Sequence, residues 1–176
     1  MLTLVVMLAL LVIPYAVLSA FTRSGRLTMP ASRRGLVGLA LMFAFTGVGH
    51  FVQTEPMAEM LPSALPWRVG IIYATGVLEL VFAAALLVPR LSRAAAWCII
   101  IFLVLALPAN VHAAMGRVPM GAHAMGPIYL LARVPVQVFI GWWAYYFGIR
   151  QSRRDEHEGR TADDRRPSHA TRHAGS

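Results

Sequence analysis

Five stretches of roughly twenty mainly apolar residues, Met1–Phe21, Gly35–Val52, Val69–Val88, Ala94–Met115 and Ile128–Gly148, constrain this chain more than any other feature. At 1.5 Å of rise per residue, a helix of that length matches the hydrocarbon thickness of a bilayer. A hydrophobic content of 57% and a mean hydropathy of +0.60 are too high for a water-soluble domain of 176 residues. The expected fold class is therefore all-α, a polytopic membrane protein with five spans.

The connections carry the charge. Lys is absent, so the net charge of +8 comes from Arg, and its distribution reads as a topology signal rather than a nucleic-acid footprint. With alternating sides, Arg23, Arg26, Arg33, Arg34, Arg90, Arg93, Arg150, Arg153 and Arg154 share one side, and Arg68 and Arg117 lie on the other. The positive-inside rule puts the N-terminus outside and the tail in the cytoplasm. Met1–Phe21 lacks a basic n-region and has Leu18 where a cleavage site wants a small residue, so it reads as a retained helix. Trp142, Trp143, Tyr145 and Tyr146 read as an aromatic belt at the inner end of the last span. The organisation expected is an N-terminal span at 1–21, a basic cytoplasmic loop at 22–34, a four-helix membrane domain at 35–148 and a disordered charged tail at 149–176.

Glu79 interrupts this apolar pattern about ten residues into its run, near the middle of a bilayer. An ionised side chain there costs at least about 2.5–3.5 kcal/mol, so Glu79 must be protonated, paired or turned toward a polar cavity. Depth-matching suggests the partners. His50 lies near the outer end of its span, Asn110 and Arg133 roughly 8 Å below the outer boundary, and Gln137 one turn deeper, near the level of Glu79. Thr46, His50 and Gln53 can share one helix face, as can Tyr129, Arg133, Gln137 and Gly141. Pro108 and Pro135 free backbone carbonyls beside Asn110 and Arg133. A buried Glu79–Arg133 pair is expected, with His50 and Glu79 as the proton-exchanging candidates and Asn110, Arg133 and Gln137 as substrate-binding ones.

Two other chemistries fit less well. His112, Met115, Met120, His123 and Met125 offer soft ligands suited to copper(I), but no thiolate accompanies them and no bound metal is expected. Cys98 has no second cysteine, so thiol chemistry would need a partner protein.

The motifs Thr46-Gly-Val-Gly-His-Phe51, Met60-Leu-Pro, Leu65-Pro, Tyr73-x-x-Gly76-x-x-Glu79, Pro108-Ala-Asn110 and Arg133-Val-Pro-Val-Gln137 together resemble the DoxX-like family of small bacterial membrane proteins. The resemblance covers residues 36 to 147 and implies a four-helix membrane bundle in the bacterial inner membrane, here with one extra N-terminal transmembrane helix. It implies a subunit of a quinone- or thiol-linked redox assembly, with quinone as cofactor and a redox protein as partner. The alternative is a non-enzymatic interaction or maturation protein in which the buried pair is structural. Lipid and further copies of the chain are the other expected partners, and nucleic acid is not.

Overall fold

A computed structural model of the chain describes residues 2–115, 128 and 130–164, and every regular element among them is helical. Helices α1 (Leu2–Arg23), α2 (Ala31–Val52), α4 (Arg68–Leu87) and α5 (Ser92–Met115) are long and apolar enough to cross a membrane. The short α3 (Thr54–Ala58) sits in the Pro-rich connection between α2 and α4. Helix α6 (Leu130–Tyr145) has 16 residues and continues without a break through a π-helical segment, Tyr146–Gln151, into α7 (Ser152–Asp164).

The basic connection is shorter than its composition suggests. Helix α1 runs on to Arg23 and is closed by Gly25, whose φ of +73° is a backbone conformation that favours glycine. The amide of Arg26 donates to the Phe21 carbonyl and that of Gly25 to the Thr22 carbonyl, the paired bonds that end a helix on a left-handed glycine. Pro30 then precedes the first turn of α2, so Arg33 and Arg34 are helical residues and not loop.

Helix α2 is the hub: it packs on α1, α4, α6 and the π segment. Its Leu36, Leu39 and Phe43 are buried together with Leu11 of α1, Leu86 of α4, Ile99 of α5 and Ile140 of α6. The outward faces of the long helices stay apolar, as Ile13, Val48, Val81, Ile101 and Leu105 show.

Two expectations change here. Trp142 and Tyr145 are exposed, as a belt requires, but Trp143 is 6% exposed and its indole Nε1–H donates to the Gly35 carbonyl at 3.0 Å. Successive residues on a helix point about 100° apart, so one cluster in sequence divides between an outer and an inner face. The tail, expected to lose structure from Ile149, remains helical to Asp164. It inherits its first hydrogen bonds from α6, is rich in Arg and Glu, and is tied to α2 where Ser32 Oγ donates to Asp155 Oδ2. Residues 165–176, with His169 and His173, lie outside the described residues.

Candidate functional site

The site grows from a close helix crossing. Arg33 near the start of α2 donates to the Leu87 carbonyl at the end of α4, Phe43 packs edge-on against Phe82, and Gly47 meets Gly76, so the two helices run antiparallel. At Gly76 a β-carbon would stand 2.7 Å from His50 Cβ and 3.2 Å from the Gly47 carbonyl oxygen; at Gly47 it would stand 3.1 Å from the Gly76 carbonyl oxygen. Glycine at both positions lets the backbones touch.

His50 and Glu79 each lie three residues beyond the glycine of their own helix. Side chains lean toward the N-terminus of their helix, so in an antiparallel pair both lean back to the crossing and meet there. The distance from His50 Nδ1 to Glu79 Oε2 is 3.6 Å. His50 Nδ1 is also 2.9 Å from the Thr46 carbonyl. A carbonyl only accepts, so a neutral His50 carries its proton on Nδ1 and leaves Nε2 as an acceptor. Glu79 is 7% exposed, and its Oε2 has no hydrogen-bond donor among the described residues. The Thr46 hydroxyl donates to the Phe43 carbonyl at 3.2 Å.

The remaining expected site residues divide. Arg133 makes no direct ion pair with Glu79: its Nη1 lies 3.6 Å from Met7 Sδ of α1, and its Nε is buried with no partner among the described residues. The expected Glu79–Arg133 pair is thus replaced by Glu79–His50, because α4 packs intimately on α2 whereas Arg133 on α6 faces α1. Gln137 is buried and donates from Nε2 to the Leu103 carbonyl, beside the Val104 carbonyl that Pro108 leaves free. Asn110 is buried and donates from Nδ2 to the Ala106 carbonyl at 3.0 Å within its own helix.

Of the soft-ligand set, His112 and Met115 are exposed at the end of α5, while Met120, His123 and Met125 lie outside the described residues, as do Arg117 and Tyr129. Cys98 is exposed.

Sequence reading passes over one constellation. Arg33, Arg90 and Arg93 read as topology signals, yet they line a cavity of about 600 Å³ at the bundle end that holds the start of α2 and the α4–α5 corner. The available signal is the spacing Pro89-Arg-Leu-Ser-Arg93, two arginines at a corner that opens a helix.

Residues 39–148 match the model of a family described as a domain of unknown function (DUF8561). No curated protein and no solved structure matches the chain.

Proposed function

We propose that this chain, which belongs to the DUF8561 family, is a multi-pass membrane subunit of a redox assembly in which His50 and Glu79 move a proton. The observation that carries the reading is a buried carboxylate oxygen, Glu79 Oε2, 3.6 Å from His50 Nδ1 and without a hydrogen-bond donor among the described residues. A merely structural pair would be expected to fill its lone pairs, since an unsatisfied buried polar atom costs about 1–3 kcal/mol. The bilayer setting is supported by four helices of spanning length and by their apolar outward faces. Within that setting the DoxX-like resemblance and the Arg asymmetry favour a bacterial inner membrane, five spans, the N-terminus outside and the tail in the cytoplasm.

The residues present fit a quinone headgroup in part. Arg133, with its unpartnered Nε, would hold a carbonyl oxygen, whereas the Nε2 of Gln137 and the Nδ2 of Asn110 are engaged on backbone carbonyls and serve the scaffold instead. When bound, a quinone supplies a two-electron, two-proton acceptor, and a partner protein supplies the electrons. His50 gains or loses a proton at Nε2 and Glu79 at Oε2, while the Nδ1–H stays on the Thr46 carbonyl and fixes the ring 3.6 Å from the carboxyl.

The second reading, an assembly protein in which the polar groups only hold the bundle, is favoured by those same two amides, since Gln137 fastens α6 to α5 and Asn110 is spent on a carbonyl of its own helix. Glu79→Gln separates the two. It preserves shape and hydrogen-bonding capacity but cannot exchange a proton at Oε2. The expected outcome is a folded protein whose organic extract, analysed by mass spectrometry, has lost a quinone that the wild type retains near stoichiometrically. A quinone-free wild type, or loss of the fold in the variant, would move the weight to the assembly reading.

A further inference from the structure

The arginine-lined cavity lies at the opposite end of α2 from His50, and the proton-exchange reading makes no use of it. Among the described residues its lining has three guanidiniums, those of Arg33, Arg90 and Arg93, and one carboxylate, that of Asp155. That carboxylate is already engaged, since Ser32 Oγ and Gln151 Nε2 both donate to it. The other lining hydroxyls are spent as well: Ser92 donates to the Pro89 carbonyl and Ser152 to the Phe147 carbonyl. Among the described residues the arginines thus set the sign of the charge in the cavity, and Arg33 is held there by its Nη1 donating to the Leu87 carbonyl. Arg34 and Arg150, close by in sequence, lie over the rings of Tyr15 and Tyr146 instead.

Backbone donors add to this field. Helix α2 begins at Ala31 with Pro30 in the capping position and no side-chain cap, so its first amides face the cavity end without an internal acceptor. Helix α5 opens at the same cavity with Ser92 and Arg93. Leu36 and Ala94 contribute apolar wall, and the indole of Trp97, 48% exposed, stands at the rim. A volume of about 600 Å³ is within the range that holds a small ligand.

We infer that this cavity binds the phosphate of an anionic lipid headgroup. The cavity's guanidiniums and the start of α2 supply donors for the phosphate oxygens, the apolar wall accepts the glycerol end, and Trp97 occupies the headgroup level where indoles concentrate. A free phosphate shares the recognition chemistry but has no use for the apolar wall or the rim indole.

The test is native mass spectrometry of the full chain in mild detergent with phosphatidylglycerol, phosphatidylcholine or inorganic phosphate, beside Arg90→Gln and Arg90→Glu. Arg90 is exposed, so both variants should fold, and unfolding curves would verify it. The expected result is one phosphatidylglycerol per chain, retained over phosphatidylcholine, weakened about fivefold by Arg90→Gln and about fivefold more by Arg90→Glu. Arg23→Gln, at an arginine away from the cavity lining, should leave retention unchanged. Equal retention of both lipids, or retention indifferent to Arg90, would overturn the site. Inorganic phosphate binding that depends on Arg90 while phosphatidylglycerol fails to compete would overturn the lipid assignment and leave a soluble anion as occupant.

Discussion

At the α2–α4 crossing, two glycines bring the backbones into contact and enclose one imidazole and one carboxylate; at the far end of the same helix pair, three guanidiniums and one carboxylate surround a cavity of about 600 Å³. In the first region the carboxyl is buried and its imidazole neighbour only partly exposed, so few groups are at hand to replace a lost contact. The second keeps Arg90 exposed and its other charges half-buried beside an open cavity, where solvent and counterions share the load. A change of one methyl group should therefore be felt at the crossing, whereas the arginine end should tolerate substitution and answer only in what it binds. Three substitutions put this contrast at risk.

The largest effect is expected from Gly76→Leu. Its β-carbon would meet His50 Cβ at 2.7 Å and the Gly47 carbonyl oxygen at 3.2 Å, neither of which is the free end of a flexible side chain. The helices must separate, at a cost of about 1–3 kcal/mol or more. Denaturant or thermal unfolding in detergent would read it, together with loss of the His50–Glu79 contact. A variant as stable as the wild type would show that the crossing is looser than the contacts imply.

Gln137→Leu should cost less. It removes the amide that fastens α6 to the Leu103 carbonyl of α5 while keeping an apolar side chain in place. Interhelical hydrogen bonds in membranes are worth about 0.6 kcal/mol on average, so a loss near that value is expected in the same unfolding assay. If Gln137→Leu instead abolished quinone retention with stability unchanged, its amide would be a ligand and not a fastener.

These cases show how far the sequence could be read. Glu79 stands out in the sequence because a charge in an apolar run must be answered, and His50 because its depth and helix face make it a candidate to answer it. Helical rise gives the depth of a side chain along its own span, the basis on which Arg133 and Gln137 are expected near Glu79. It does not give the direction around the bundle. That depends on which helices are neighbours, and with α2 at the hub the partner of Glu79 came from α2 rather than α6. Helix α7 escapes the sequence reading for a different reason: it has no apolar periodicity, yet its backbone continues from the π-helical segment and is tied to α2 through Ser32. The arginine cavity was hidden because topology already explained each of its charges.

The smallest effect, and the sharpest check on the contrast, is expected from Ser32→Ala. Ser32 Oγ donates to Asp155, the tie from α2 to the first turn of α7. A hydrogen bond to a charged acceptor contributes about 1.5–3 kcal/mol when nothing replaces it. Asp155 also accepts from Gln151 Nε2 at 3.3 Å and borders the cavity, where water can take the place of the serine. The loss should therefore be a fraction of that figure and local. Amide exchange across Ser152–Asp164 should quicken while exchange in α2 and α4 around Gly47 and Gly76 stays as slow as before. Should the crossing exchange faster as well, the two ends of α2 would form one cooperative unit, and the separation between a packed charge site and a solvated one would fail.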